Sequence, residues 1–246
     1  MSSTLLSSRD LVTAGTALFR RALDTVDDAA LAEPTALAGW TRAHVVAHVA
    51  ANADALVNLA TWARTGVETP MYASPEQRDS AIAQGARLAP ASLREWFSES
   101  AAGLDGALDA LEAESWTRLV RTAQGRTVPA AEVPWMRTRE VMVHAVDLDG
   151  GVGFDDLPKD FLVEVLHDAA AKRSRSADGP ALVLVSTNPT HAADGTPHST
   201  AWPVVGLGDA VTVRGPLPQL AAYITGRHTT GLGIEGRTLP VLPPWL

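Results

Sequence analysis

The segment RAHVVAHVAANA (42–53) carries polar side chains at helical spacing inside an otherwise apolar, alanine-rich run. His44, His48 and Asn52 are four residues apart, and residues at this spacing lie above one another on one face of a helix. Such a polar column can be a solvated edge or the wall of a site. The spacing alone does not decide whether His44 or His48 is the functional histidine.

A second segment, EVMVHAVD (140–147), offers Glu140 and His144 on one helix face, followed by Asp147. Helix bundles build metal sites from Glu and His side chains on facing helices. Two imidazoles and one carboxylate suit a cation such as Zn²⁺ and leave one coordination position open for water or substrate. The alternative is that these are ordinary core or surface residues, since Glu–His pairs at this spacing are often simple electrostatic contacts.

The composition limits the chemistry and the location of the protein. The chain of 246 residues contains no cysteine, which excludes disulfides, thiolate metal ligands and a cysteine nucleophile, so any sulfur nucleophile must come from outside. The formal charge of −8 argues against binding to nucleic acid or to an anionic membrane. The longest apolar runs, such as ALVLV, are too short to span a bilayer, and the N-terminus does not read as a signal peptide. We therefore expect a cytoplasmic protein.

The first part of the chain, up to about Gly150, has helical periodicity. Ser8 or Asp10 is expected to open the first helix, and Thr41 is a good N-cap for a second helix that ends at Thr65-Gly66. Further helices are predicted over 74–88, 91–111 and 134–148, and the turn-rich segment 117–133 could carry a short hairpin. Long helices joined by short loops indicate a bundle.

After the glycine-rich linker 149–158, the second part of the chain contains short strand-like runs as well as helical segments. FLVEVLHDAAAKR and PLPQLAAYITGR read as helices, whereas ALVLVS, AWPVVG and AVTVRG are short valine-rich runs typical of strands. The sequence therefore predicts an α+β protein with two domains, a metal-binding helical bundle at 1–150 and a small α+β domain at 151–246.

Several segments resemble the mycothiol-dependent maleylpyruvate isomerases, which belong to the DinB-type metal-binding bundles. They are GWTRAHVVAHVAANADAL (39–56), TGVETPMY (65–72), TAQGRTVPA (122–130), WMRTREVMVHAVDL (135–148), AAYITGR (221–227) and PPWL (243–246). The resemblance covers nearly the whole chain and is far more specific than an HxxxH pair alone.

The resemblance implies an N-terminal four-helix bundle (DinB-like) that holds a divalent zinc ion, followed by a domain similar to sterol-carrier folds. The family's arginine that acts on substrate, in its late Gly-Arg motif, falls on Arg227. Because the family's histidine ligand on this helix corresponds to His48, His44 is expected to be a bystander or rim residue, and Asn52 is expected to line the cavity of the metal site. The family's metal ligands fall on His48, Glu140 and His144.

The activity implied by the resemblance is the mycothiol-dependent cis–trans isomerisation of maleylpyruvate to fumarylpyruvate, in gentisate catabolism. Such a reaction requires the π bond to be broken transiently, which a thiolate does by adding to the conjugated alkene, allowing rotation, and leaving. A free thiol is mostly protonated at neutral pH, and a metal ion such as zinc favours the thiolate. The missing cysteines fit an external thiol.

The expected partners are a small anionic substrate and a low-molecular-weight thiol, with no nucleic acid, no membrane and a monomeric chain. Because a protein of charge −8 repels a dianion, a local positive charge is needed. Arg227 could pair with a carboxylate and stabilise the enolate. Arg126, in the QGRT turn, is a second candidate.

Two other functions remain open. A metal-dependent transferase that conjugates mycothiol to electrophiles would share the metal ligands but would need no anion-binding arginine. A non-enzymatic protein that binds a small apolar ligand would need the metal only for its structure. An assay with maleylpyruvate and a thiol separates all three functions.

Overall fold

The chain forms two compact units, Met1–Val152 and Gly153–Leu246. The computed structural model describes residues 2–187, 201–234 and 238–245, and their side chains from Ser8 onward. Helices build the first unit and a small sheet with helices builds the second, so the predicted α+β class is confirmed. Leu246, the last residue of the PPWL segment, lies outside the described residues.

The first unit is organised around its second helix. Helix α2 packs against α3, α4 and α5, and α1 packs against α5. Because α2 is surrounded, side chains on almost all sides of it are buried, including its many alanines. The five helices of this unit are α1 (Ser2–Thr25), α2 (Arg42–Thr65), α3 (Pro75–Gly85), α4 (Pro90–Asp109) and α5 (Val133–Asp147).

The predicted ends of α2 are confirmed, whereas α1 begins earlier than predicted. Thr41 caps α2 through its side chain, and Gly66 ends it in the left-handed conformation with φ 76°, donating its N–H to Trp62. Helix α1 starts at Ser2 rather than at Ser8 or Asp10. No glycine or proline precedes Ser8, so nothing in the local sequence stops the helix there.

A hydrophobic core joins α2, α4 and a short hairpin. Strands β1 (Leu119–Arg121) and β2 (Thr127–Pro129) pair antiparallel, with Val120 opposite Val128, and this is the hairpin expected in the turn-rich segment. Both valines are buried against leucines of α2 and α4, among them Leu56, Leu59, Leu104 and Leu108. This apolar packing holds the C-terminal half of α2 in place.

Over its described residues, the second unit contains a three-stranded sheet and two α-helices. The strands β3 (Pro180–Ser186), β4 (Ala201–Val204) and β5 (Leu207–Gly215) lie in the order β4-β3-β5, and the helices are α6 (Lys159–Ser176) and α7 (Leu217–Ile224). β3 pairs antiparallel with β4 and parallel with β5. Helix α6 packs against α7 and β4, where Trp202 is almost fully buried.

The segment that follows α7 contains no helix over its described residues, as its prolines predicted. Arg173 of α6 donates to the carbonyl of Pro243 at 3.0 Å, and Lys172 donates to the carbonyl of Trp245 at 2.6 Å. These bonds fix the end of the chain on α6. Across the described residues, no helix is both long and apolar enough to cross a membrane.

Candidate metal centre

Three buried side chains from α2 and α5 converge on one point in the first unit. Nε2 of His48 lies 2.9 Å from Oε2 of Glu140, and Nε2 of His144 lies 3.3 Å from the same oxygen. One possible ligand atom from each residue lies within 4.8 Å of the others. The exposed fractions are only 7% for His48, 6% for Glu140 and 2% for His144. The structure therefore brings together the three residues on which the family resemblance places the metal ligands.

The helices explain this convergence. Glu140 and His144 project from the same face of α5 because they are four residues apart, and α5 packs directly against α2, which carries His48. The imidazole rings of His48 and His144 lie edge to face, with centroids 4.8 Å apart. The ring of Trp40, just before α2, packs on His48 with centroids 5.3 Å apart. This aromatic wall gives His48 an apolar surrounding on one side.

Asp147 orients the ring of His144. Its Oδ2 lies 2.8 Å from Nδ1 of His144, and Asp147 is buried. A proton on Nδ1 shared with this carboxylate leaves Nε2 as the nitrogen that faces Glu140. The carboxylate–imidazole pair is the arrangement that accompanies many metal-ligating histidines.

The donor set fits a divalent cation. Nε2 of His144 has no hydrogen-bond partner among the described residues, although it faces Oε2 of Glu140 at 3.3 Å. A neutral imidazole nitrogen and a carboxylate oxygen are both acceptors, so a proton or a cation must lie between them. Two imidazoles and one carboxylate from one chain are a common set of protein ligands for catalytic zinc. The three residues therefore fit a metal ion.

Charges inside the cluster shift the pKa values of its members. Burial alone would raise the pKa of Glu140, but the close polar contacts of His144 and His48 and the positive charge of these rings hold it well below its usual range. Burial would lower the pKa of His144, yet Asp147 and Glu140 raise it. Burial also lowers the pKa of His48, and its hydrogen bond to Glu140 only partly opposes this. Without a metal, the proton of the cluster thus belongs on His144, and Glu140 stays ionised.

The other members of the polar column on α2 have separate roles. The ring of His44 lies at the N-terminus of α2, where its Nδ1 is 2.8 Å from Oγ1 of Thr41 and accepts from the Thr41 N–H at 3.3 Å. His44 is thus part of a capping box and not of the metal cluster. Asn52 is 5% exposed, and its Oδ1 accepts from Arg137 at 3.2 Å.

Arg137 is the functional-site neighbour that sequence reasoning missed. It is fully buried, three residues before Glu140 on α5, and it donates to the carbonyl of Val49 at 2.6 Å as well as to Asn52. Burial lowers the pKa of Arg137 to about 10, so the side chain keeps its charge at neutral pH. Arg137 therefore ties α5 to α2 at the residue next to His48. Its position in an amphipathic helix carries no sequence signal, because arginines on helices are usually exposed.

The two candidate arginines lie in or beside turns rather than within helices. Arg126 is exposed in the turn between β1 and β2, where its N–H donates to Oγ1 of Thr122. Arg227 belongs to the second unit and follows the turn after α7. Its guanidinium donates to the carbonyl of Thr225 at 2.6 Å and lies over the ring of Trp245, 5.7 Å from the centroid. These contacts fix the arginine while leaving it partly exposed.

Comparisons with known proteins place the chain in a family. Residues 12–149 match the model of the mycothiol maleylpyruvate isomerase N-terminal domain. A crystal structure of the mycothiol-dependent maleylpyruvate isomerase is 40% identical, with a TM-score of 0.89, covering 98% of this chain and 97% of that one. A structure of that enzyme with one histidine replaced by alanine matches with the same values. No curated protein matches. The chain therefore belongs to the family of mycothiol-dependent maleylpyruvate isomerases.

Proposed function

We propose that the protein isomerises maleylpyruvate to fumarylpyruvate with mycothiol as the thiol, at a site built on a divalent metal ion. The observation that carries the proposal is the buried convergence of His48, Glu140 and His144 in a chain that has no cysteine. Membership of the isomerase family supports the choice of substrate and thiol.

We assign the metal to His48, Glu140 and His144, and zinc is the ion that this donor set suits best. When bound, the ion would supply the positive charge that favours the thiolate form of mycothiol at neutral pH. The protein's part is to fix the three ligands. Asp147 holds the proton of His144 on Nδ1, and Arg137 ties α2 to α5 beside His48.

Arg227 is the residue that we propose to act on the substrate. A guanidinium can form two parallel bonds with a carboxylate, and it stabilises the negative charge that spreads onto oxygen when the π bond is broken. The contacts with Thr225 and Trp245 hold this charge in a defined place, which reduces the reorganisation needed during the reaction.

The remaining parts of the proposal concern the oligomeric state, the cellular location and the binding partners. We propose that the protein acts as a monomer in the cytoplasm and does not bind nucleic acid. One chain supplies all three metal ligands, which supports a monomer, and the charge of −8 disfavours nucleic acid. A thiol that must stay reduced is available in a reducing compartment.

The test is an isomerisation assay on the purified zinc-loaded protein with maleylpyruvate and mycothiol. We expect conversion to fumarylpyruvate, and Arg227→Ala should lower turnover by about a hundredfold at saturating mycothiol, as expected when one charge-assisted contact is lost. Arg126→Ala is the matched control and should change turnover less than threefold. Protein that ignores maleylpyruvate but conjugates mycothiol to other electrophiles would replace this proposal with the transferase function.

A further inference from the structure

A polar and aromatic cleft lies on the first unit beside the metal centre. It has a volume of about 430 Å³ and is formed by α2, α3, α4 and the loop 70–73. A cleft of this size is within the range of small-molecule sites. Its polar and aromatic lining consists of Asp54, Asn58, Tyr72, Gln77 and Trp96.

The cleft begins one helical turn from His48. Ala51, the first α2 residue of the lining, follows His48 by three residues, and Asn58 lies about 15 Å along the helix axis from His48 at 1.5 Å per residue. Tyr72 connects the cleft with the metal centre electrostatically. Burial and the negative charges of Glu140 and Asp54 raise the pKa of Tyr72 to about 12, against the opposing effect of Arg78. The phenol is therefore neutral at physiological pH, and its O–H is able to donate a hydrogen bond to a ligand.

The walls of the cleft are held rigidly. Nε1 of Trp96 donates to Oδ2 of Asp54 at 2.9 Å, and a side-chain carbon at Gly85 would collide with the Trp96 ring, so glycine permits this close packing. Asn58 donates to the carbonyls of Pro70 and Met71 at 3.2 and 3.3 Å, which fixes the loop. Oε1 of Gln77 accepts from the N–H of Ala73 at 2.6 Å.

Each of these polar side chains keeps spare hydrogen-bonding capacity. Among the described residues, no hydrogen bond engages Oδ1 of Asp54, Oδ1 of Asn58 or Nε2 of Gln77. Asp54 is the charged residue among those that line the cleft, and Arg78, outside the lining, contacts Tyr72 through a side-chain hydrogen bond. Fixed acceptors and donors beside aromatic rings suit a neutral polyhydroxylated ring, whose hydroxyls bond and whose apolar face packs on an aromatic side chain.

We propose that this cleft is the subsite for the polyhydroxylated part of the thiol cosubstrate. Mycothiol carries its sulfur on a body of hydroxyl-rich rings, so the sulfur would be at the metal centre while the rings lie along α2. The proposal rests on the proposed function, because it takes mycothiol as the thiol.

Binding of S-methylmycothiol to the zinc-loaded full chain tests the subsite directly, by calorimetry and without any turnover. Asp54→Ala and Gln77→Ala should each raise the Kd about fivefold or more, the loss of roughly one hydrogen bond. Glu99→Ala, which removes an exposed carboxylate of α4 outside the cleft, is the matched control and should leave the Kd unchanged. An unchanged Kd in both cleft variants would overturn the proposal.

A second measurement separates the subsite from a general effect on the metal centre. N-acetylcysteine has the same reactive group but no hydroxyl-rich rings. In Asp54→Ala and Gln77→Ala, the ratio of its KM to that of mycothiol should fall about fivefold. An equal change in both KM values would mean that the variants act on the centre, and would contradict the subsite. Wild-type protein that binds S-methylmycothiol but does not isomerise maleylpyruvate would overturn the proposed function and leave the subsite standing.

Discussion

Asp147 shows how one residue outside the ligand set controls the centre. Its carboxylate accepts the Nδ1 proton of His144 at 2.8 Å and so leaves Nε2 facing Glu140. We predict that Asp147→Asn weakens zinc binding by 10- to 100-fold, the usual cost of removing such a partner. Competition with a chelating dye measures the Kd. Asp149→Asn, two residues on and highly exposed, is the control. Equal zinc affinity in the two variants would remove Asp147 from the centre.

The two histidines of α2 should behave differently, because only His48 lies in the cluster. His48→Ala leaves two protein ligands, too few for a tight site, so we predict that the purified variant loses most of its metal and its activity. His44→Ala should keep both and lose only its share of the helix cap, about 1 kcal/mol of stability. Elemental analysis and thermal unfolding check the two outcomes. Comparable metal loss in both variants would refute the assignment.

Acid should weaken metal binding through His144. Against the opposing effect of burial, Asp147 and Glu140 raise the pKa of His144 above its ordinary 6.5, so at pH values below that raised pKa the ring carries a second proton, on Nε2, that the metal must displace. Zinc affinity should therefore rise with pH up to this raised pKa and level off above it, with about a tenfold loss per pH unit below it. Titrations between about pH 5.5 and 8.5 test the sign. A pH-independent affinity would be incompatible with a protonated His144.

At the scale of elements, the local sequence predicted where the helices begin and end better than it predicted how the elements pack against one another. Thr41 and Gly66 set the ends of α2, as their capping chemistry predicts. The order β4-β3-β5 could not be predicted, since it depends on contacts between segments distant in sequence. The capping role of His44 also escaped prediction, because histidine takes a place that Glu or Gln usually holds.

The candidate site was predictable only in part. The spacing of Glu140 and His144 places them on one face, but spacing alone could not choose between His44 and His48; the family resemblance made that choice. Arg137 could not be found from the sequence, because its burial depends on how α2 packs on α5. Its contacts explain the third member of the polar column, since Asn52 binds this arginine.

The first unit contains every proposed metal ligand, so this unit should bind the metal without the second unit. A chain that ends at Val152 should fold and bind zinc with a Kd within about threefold of the full chain, because all three ligands and Asp147 precede that point. It should be nearly inactive, since it lacks Arg227. Circular dichroism, zinc titration and the isomerase assay measure the three properties. Full activity would exclude a role for Arg227.

At the scale of the whole molecule, the chain combines a buried nitrogen and oxygen donor set with a complete lack of sulfur nucleophiles. Serine and lysine would add poorly to the alkene or leave poorly from it, so they cannot replace a thiol. The proposed function therefore divides the chemistry between the protein, which supplies the ligands and the positive charge, and the thiol, which supplies the nucleophile. Neither part is sufficient alone.

The most direct test of this division is the rate of maleylpyruvate isomerisation with zinc and mycothiol each present or absent. Chelator-treated protein is assayed alone, with zinc, with mycothiol and with both, and His48→Ala serves as the control in which added zinc has no site. The account predicts a high rate only with both components, and a rate lower by at least about a hundredfold in every other case. Protein that isomerises maleylpyruvate at an undiminished rate without thiol, or without metal, would contradict it.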